Sequence, residues 1–264
     1  MSALRLGAVS YLNTKPLVYG LDAYPDQFDV RFDVPAKCAE LLHEGRVDLG
    51  LIPAIEYLRG HYAIVPDISI ASDGDVATVA VFTRKPIERV QTLALDLSSR
   101  TSVTLTRILC AKKWAIEPRF TPAEPDLEAM LRRADAALVI GDPAFEIDPA
   151  KHKVTKIDLG AEWKALTGLP FVYAMWVGRP DAATPSQCRA LQQARDAGVA
   201  HLPKIARQVG HGHAVLEQRA LSYLRDNLKY GLGQTEQAGL RRFHELAAEI
   251  GVAPGLEALR FYEQ

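Results

Sequence analysis

The sequence predicts an α/β fold of two lobes with a helical C-terminal region. Over the first half of the 264-residue chain, short apolar runs alternate with helix-like segments, which is typical of mixed, mainly parallel sheets. The run Arg84-Lys85-Pro86 interrupts this series, and a second strand–helix series follows it. From Pro185 onward the pattern is helical almost throughout.

The first series predicts a lobe that begins with strands and two short helices. Its strands are Leu4 to Val9, Phe28 to Val34, Asp48 to Pro53, Ile64 to Ser69 and Val76 to Thr83. A helix is predicted at Leu17 to Leu21, with Thr14 as a candidate cap and Pro16 at a favourable first position. A second helix is predicted at Pro35 to Glu44, where Gly45 stops it.

The second series predicts an inserted lobe. Its strands are Thr92 to Asp96 and Ala136 to Ile140, and its helices are Thr101 to Trp114 and Leu127 to Arg133. An apolar strand at Phe171 to Val177 is expected to lead the chain back to the first lobe. We therefore expect residues 84–172 to form the second lobe and residues 1–83 and 173–264 to form the first, which carries both termini.

The C-terminal region predicts a series of helices that cover the first lobe. They are Gln187 to Ala197, His201 to Gln208, Ala214 to Leu228 and Thr235 to Ile250. The last one places Leu240, Phe243, Leu246, Ala247 and Ile250 at helical spacing, which predicts that it packs on the first lobe. Two α/β lobes joined by two crossovers form a hinged clamshell, the architecture of type II periplasmic-type binding proteins. Its ligand cleft lies between the lobes, at the carboxyl ends of the strands.

Composition excludes several classes of partner. The net charge of −1 provides no general attraction to nucleic acid or to an anionic membrane, so any anion binding must be local. No stretch approaches the roughly 20 apolar residues that span a bilayer. The first residues lack the apolar core of a secretory signal. The cysteines Cys38, Cys110 and Cys188 are widely spaced and odd in number, so we expect reduced thiols in a cytoplasmic protein.

The first candidate site is the loop from Ser10 to Lys15, which follows the first strand. Ser10, Asn13 and Thr14 place hydrogen-bonding groups where α/β proteins bind ligands. Asn and Thr are also common helix caps, and a purely structural turn has about equal support. The pattern predicts a small polar ligand.

The second candidate is the segment Asp96 to Ser102, a strand end followed by a helix start rich in hydroxyls. Free N–H groups, hydroxyls and the helix dipole favour an anion there, with Arg100 adding charge, and Ser99, Thr101 and Ser102 complete the set. A carboxylate and a phosphate both fit. The alternative is a well-capped helix without a ligand. The segment lacks the glycine and lysine pattern of a nucleotide-binding loop.

Three weaker candidates follow other strands. Ser72 and Thr78 flank a glycine-containing turn, Gly141 and Asp142 follow the strand Ala136 to Ile140, and Glu56 is a possible buried carboxylate. An Asp at a strand end is as often a helix cap as a ligand contact. The histidines show no metal-ligand spacing, and no nucleophile motif is present, so we expect no metal, no cofactor and no covalent catalysis.

Dispersed motifs over the first two-thirds of the chain resemble the chorismate dehydratase family of menaquinone biosynthesis by the futalosine route. They are Val9-Ser10-Tyr11-Leu12-Asn13-Thr14-Lys15-Pro16-Leu17, Asp48-Leu49-Gly50-Leu51-Ile52-Pro53, Ser99-Arg100-Thr101-Ser102, Ile140-Gly141-Asp142, Glu162-Trp163 and Thr167-Gly168-Leu169-Pro170-Phe171-Val172. The resemblance implies a cofactor-free hydro-lyase that converts chorismate, a dicarboxylate, into 3-[(1-carboxyvinyl)oxy]benzoate and water.

This chemistry suits the candidate sites. Asn13 is expected to position the reacting end of the substrate, and Ser99 to Ser102 to hold a carboxylate. No motif supplies an obvious base, so the enolpyruvyl carboxylate of the substrate is a candidate to accept the proton. Two alternatives remain: a non-catalytic protein that binds or senses a small anion on the same fold, and another enzyme of the same pathway with a larger substrate.

Overall fold

The computed structural model describes residues 3–263, in which the chain forms eleven strands and ten α-helices. The strands are β1 (Leu4–Val9), β2 (Phe28–Asp33), β3 (Leu49–Pro53), β4 (Ala63–Ile64), β5 (Ile70–Ser72), β6 (Val79–Thr83), β7 (Thr92–Asp96), β8 (Arg119–Ala123), β9 (Ala136–Ile140), β10 (Thr155–Asp158) and β11 (Phe171–Gly178). The helices are α1 (Pro35–His43), α2 (Arg100–Leu109), α3 (Leu127–Leu131), α4 (Gly141–Glu146), α5 (Pro149–His152), α6 (Leu159–Thr167), α7 (Pro185–Ala200), α8 (Leu202–Gly210), α9 (Ala214–Ser222) and α10 (Gln234–Glu249).

Shorter helical turns complete the chain. They are 3₁₀ turns at Leu12–Val18, Leu21–Ala23, Ala54–Arg59 and Ile87–Arg89, and π-helical turns at Cys110–Trp114 and Tyr223–Asn227. The two π-helical turns continue α2 and α9.

Two mixed sheets form the two lobes. The first has the order β2-β1-β3-β11-β4, with β5 also paired to β11. In it β1 runs parallel to β2 and β3, whereas β11 is antiparallel to β3. The second has the order β10-β6-β9-β7-β8, with β7 parallel to β8 and β9. The helices α7 to α10 follow β11, which agrees with the helical C-terminal region that the sequence predicts.

The chain changes sheets earlier than the sequence indicates. The strand β6 pairs with β9 and β10 in the second sheet, although we predicted that the first lobe extends to residue 83. The crossing occurs before Val79, where the half-buried carboxylate of Asp158 accepts hydrogen bonds from the N–H groups of Val76 and Ala77 at 3.0 and 2.7 Å. The apolar run Val76 to Thr83 contains no break, so its pattern does not mark this crossing.

Two local predictions are wrong in detail, and two strands were not predicted. Thr14 does not cap a helix, because it lies inside the 3₁₀ turn Leu12–Val18. The residue that precedes this turn is Tyr11, and its side chain makes no capping hydrogen bond. The predicted strand Ile64 to Ser69 is broken at Asp67, whose φ of 63° is left-handed. The sequence also gave no signal for β8 and β10, which are edge strands of the second sheet.

A continuous core joins the two sheets. One cluster of buried side chains includes Leu51 and Trp176 from the first sheet and Leu93 and Leu138 from the second. The helix α10 packs on β11 as predicted, with the rings of Phe243 and Phe171 5.0 Å apart. The apolar positions that predicted this packing are buried, at Leu240, Phe243, Leu246 and Ala247, and Ile250 is half-buried against them.

Candidate functional site

A narrow cavity of about 40 Å³, partly open to solvent, lies between the two sheets. This volume is well below the range of about 300–1,000 Å³ that is usual for small-molecule sites, so the lobes are closed on each other and would have to move apart to admit a ligand with a ring. Its polar lining consists of Tyr11, Asn13, Thr78, Ser99, Ser102, Gly141 and Tyr173. Its apolar lining consists of Val9, Pro35, Pro53, Ile70, Val76, Val79, Ile140 and Ala174.

The cavity is built from the ends of strands. The loop with Tyr11 and Asn13 follows β1, Pro53 ends β3, and Gly141 follows β9. Since the carboxyl ends of neighbouring parallel strands meet at one edge of a sheet, these residues converge although they are far apart in the chain. The structure thus brings Asn13, Thr78, Ser99, Ser102 and Gly141 of the predicted set around one cavity.

Asn13 lies beside a pair of hydroxyls in the cavity wall. Thr14 Oγ1 donates to Asn13 Oδ1 at 3.4 Å, and the Asn13 side chain lies near the hydroxyl of Tyr223. The same hydroxyl lies 2.9 Å from Thr78 Oγ1. Burial raises the pKa of Tyr223 well above its usual range, so this group stays a neutral phenol.

The start of α2 faces the cavity with two hydroxyls. Ser99 is the N-cap residue, and its side chain accepts from the backbone N–H of Ser102 at 3.5 Å. Ser102 Oγ donates to Ser99 Oγ at 3.2 Å. Both side chains are buried at the positive end of the helix dipole, where an anionic group is stabilised.

Arg100 and Thr101 point away from the cavity and join the lobes instead. Arg100 pairs with the buried carboxylate of Glu56 at 2.8 Å and with Glu40 at 3.4 Å. Thr101 Oγ1 accepts a hydrogen bond from the backbone N–H of Ile55 at 3.1 Å. Neither side chain is therefore placed to contact a ligand in the cavity, because both are bonded to the turn Ala54–Arg59 of the first lobe.

Ser10, Thr14 and Ser72 also lie outside the cavity lining. Ser10 is exposed and borders a separate outer groove together with Lys15. Thr14 is buried behind Asn13. The hydroxyl of Ser72 is buried and bonded to the hydroxyl of Tyr173 and to the carbonyl of Gly74, each at 3.0 Å. Thr14 and Ser72 therefore support lining residues rather than face the cavity.

Gly141 and Asp142 hold the lobes together at the cavity edge. Gly141 has a left-handed φ of 67°, and a Cβ at this position would lie 2.5 Å from the Tyr11 ring. The carboxylate of Asp142 accepts from the backbone N–H of Leu12 at 3.0 Å, across the lobes. Burial raises the pKa of Asp142. The Tyr11 hydroxyl donates to Ser98 Oγ at 3.4 Å as a further contact between the lobes.

Sequence reasoning missed three tyrosines of this site. Tyr11 stands inside the first motif among the predicted contacts, and Tyr173 is part of the apolar strand β11. Tyr223 lies in the helical C-terminal region, more than 200 positions from Asn13, where the pattern shows helix but no partner. Their hydroxyl contacts depend on the tertiary fold, so no local signal identifies Tyr173 or Tyr223.

The lining can orient an anion but cannot readily exchange protons. Among the described residues that line the cavity, none carries a carboxylate, an imidazole or an amine. Hydroxyl and amide donors stabilise negative charge without titrating near neutral pH.

Within residues 3–263, no group of three or more His, Cys, Asp or Glu side chains is placed to hold a metal ion. No helix in this range is long and apolar enough to cross a membrane.

Comparison with known sequences identifies relatives along most of the chain. A family model described as menaquinone biosynthesis matches residues 4–249. A chorismate dehydratase from Thermus thermophilus is 32% identical over 262 residues, which cover 91% of this chain and 93% of that protein. A chorismate dehydratase from Campylobacter jejuni subsp. jejuni is 30% identical over 177 residues, or 64% of each chain.

Solved structures with little sequence similarity share the fold. A crystal structure from Archaeoglobus fulgidus aligns with a TM-score of 0.73 at 15% identity, covering 95% of this chain and 98% of that one. The alkanesulfonate-binding protein SsuA from Xanthomonas axonopodis pv. citri, solved bound to MOPS, aligns with a TM-score of 0.70 at 14% identity, covering 96% and 95%. The predicted periplasmic-binding-protein-like fold is confirmed.

Proposed function

Because this chain belongs to the menaquinone biosynthesis family, as its motifs predicted, we propose that it is a chorismate dehydratase, a hydro-lyase acting on one dicarboxylate substrate. The observation that carries the proposal is the identity of 32% with a chorismate dehydratase over 91% of the chain. The lining between the lobes supports it, since neutral hydroxyl and amide donors suit an anionic substrate.

The reaction begins with loss of a proton from the ring carbon that bears the enolpyruvyl ether. This carbon is vinylogous to the ring carboxylate, so the resulting charge spreads onto that carboxylate. Hydroxyl donors such as Ser99 and Ser102, at the start of α2, are placed to stabilise charge where it develops. Expulsion of the neighbouring hydroxyl then forms the aromatic ring.

The proton acceptor in this scheme is the enolpyruvyl carboxylate of the substrate. The described lining contains no protein group suited to take the proton, which supports this choice. The proton and the departing hydroxyl leave together as water, so the reaction balances without a cofactor. Asn13 and Thr78 would hold the carboxylate and the ring in the reacting geometry.

The decisive experiment incubates the purified, metal-depleted protein with chorismate. We expect loss of one water by mass spectrometry and a gain of benzenoid absorbance. Asn13→Ala should lower kcat/KM by about a hundredfold, because a donor aimed at the reacting end is lost. Parental turnover by this variant would contradict the role of Asn13.

A non-catalytic binding protein or sensor is the second candidate. The absence of a carboxylate, an imidazole and an amine from the described lining favours it as much as substrate-assisted catalysis. Tight binding of chorismate without product, measured by calorimetry and mass spectrometry, would select this candidate over the enzyme.

A further inference from the structure

We propose that Tyr223 is a positioning residue of this site, which fixes the hydrogen-bond direction of Asn13 and Thr78 so that both present donors to the substrate. The inference rests on the proposed function. Tyr223 does not itself line the cavity and acts through these two side chains.

Tyr223 is held rigidly at the junction of three parts of the molecule. It begins the π-helical turn Tyr223–Asn227 that continues α9, and such turns frequently occur at functional sites. Its side chain is 3% exposed, and its ring lies 5.4 Å from that of Phe145 in α4 of the second lobe. Its hydroxyl lies 2.9 Å from Thr78 Oγ1 of the crossover and near the side chain of Asn13 of the first lobe. A tyrosine so placed has little freedom to rotate.

The proposed arrangement fixes one direction along these contacts. The Tyr223 hydroxyl lies 2.9 Å from Thr78 Oγ1, and either oxygen can donate in this geometry. Donation by the phenol is the favoured direction, because the Thr78 proton is then left for an anionic ligand, which can only accept. Asn13 Oδ1 accepts from Thr14. Burial raises the pKa of Tyr223, and the nearby Asn13 side chain partly offsets this.

Two donors are then left for a ligand. In this direction the Thr78 hydroxyl accepts from Tyr223, so its own proton is free to point into the cavity that Thr78 lines. With Oδ1 turned to Thr14, the amide N–H of Asn13 serves as the other donor. Without the phenol hydroxyl, Thr78 can turn its proton toward another acceptor and Asn13 loses an anchor. The substrate would then meet donors that are not preorganised.

The test is Tyr223→Phe, which keeps the ring and removes the hydroxyl. We expect kcat to fall about tenfold with little change in KM, since the donors matter most for charge that develops in the reaction. Tyr57→Phe is the matched control. It removes another buried hydroxyl, bonded to the backbone of Ala258 and Arg260, and should leave kcat unchanged.

Thr78 provides a second, independent test. Thr78→Val should lose about as much kcat as Tyr223→Phe, Thr78→Ser should restore most of it, and the double variant Tyr223→Phe/Thr78→Val should lose little more than either single variant. Parental kcat in Tyr223→Phe, or additive losses in the double variant, would overturn the proposal. If Tyr223→Phe does not fold, equal kcat for Thr78→Val and the parent overturns it.

A failure of the proposed function can be distinguished from a failure of the role of Tyr223. If the parent binds chorismate without converting it, the dehydratase assignment is wrong, and the affinity for chorismate then decides the role of Tyr223. A weaker affinity of Tyr223→Phe, with Tyr57→Phe unchanged, supports the positioning role, and equal affinity of all three proteins overturns it.

Discussion

At the residue scale, Gly141 combines two constraints in one position. Its φ of 67° strains any residue with a Cβ, by about 1–2 kcal/mol. The same Cβ would also displace the Tyr11 ring, which lines the cavity. We therefore expect Gly141→Ala to lower both the free energy of unfolding, measured in urea, and kcat/KM with chorismate.

Gly168 offers a matched control for this prediction. It has a similar φ of 74° at the end of α6, but a Cβ there would meet no atom within 4 Å. Gly168→Ala should thus lose similar stability and keep its activity. If Gly141→Ala retained full kcat/KM, the contact between Tyr11 and Gly141 would not shape the site.

At the element scale, one buried carboxylate ties α2 to the first lobe. Glu56 in the turn Ala54–Arg59 accepts from Arg100 of α2 at 2.8 Å, from His43 at 2.8 Å and from Arg59 at 3.1 Å. Burial by itself would raise the pKa of Glu56, but the bond from His43 and the charges of Arg100 and Arg59 outweigh it, so the pKa is lowered. The start of α2 therefore depends on an ionised Glu56.

This arrangement predicts a pH-dependent loss for Glu56→Gln. A carboxyl whose pKa is lowered on folding stabilises the fold above its unfolded pKa of about 4.3, and this contribution disappears as the pH falls through the lower folded value. The free energy of unfolding of the parent should exceed that of Glu56→Gln by about 2 kcal/mol from pH 8 to pH 5. This difference should shrink below about pH 4. Urea unfolding of both proteins across this range measures it.

Glu40→Gln is the control at this element. Its exposed carboxylate also reaches Arg100, at 3.4 Å, and exposed pairs contribute only about 0–1 kcal/mol. Glu40→Gln should lower the free energy of unfolding much less than Glu56→Gln does at neutral pH. A loss for Glu56→Gln that stayed constant down to pH 3 would show that its charge does not stabilise the closed lobes.

The elements also show what the sequence can and cannot predict. Central strands such as β3 and β11 are buried along their whole length, so their apolar runs identify them. The edge strand β8 contains Pro122 and partly exposed residues, and its sequence reads as a loop. At the site, the sequence predicts the hydroxyl and amide residues that follow the strands. It does not predict which of them face the cavity, because that depends on long-range contacts such as the bond between the hydroxyls of Ser72 and Tyr173.

At the scale of the whole molecule, the two lobes share one core and should unfold together. The large buried cluster contains side chains of both sheets, and the smaller cluster, with Phe82 and Val139, covers the outer face of the second sheet. Neither sheet can lose its packing without exposing apolar surface of the other. The backbone amides of β1 and β9 should therefore lose hydrogen-exchange protection at the same urea concentration, measured by mass spectrometry.

A ligand between the lobes should shift this common transition without splitting it. Chorismate or its product, bound to the folded protein alone and present at a hundred times its Kd, adds about 2.7 kcal/mol. Since the cavity is lined by both lobes, through Asn13 on one side and Ser102 on the other, the added free energy must protect β1 and β9 equally. Loss of protection in β9 at lower urea than in β1, or a ligand effect confined to one sheet, would show that the lobes are independent. Cleft closure would then be an equilibrium that the ligand must drive, rather than a property of the folded chain.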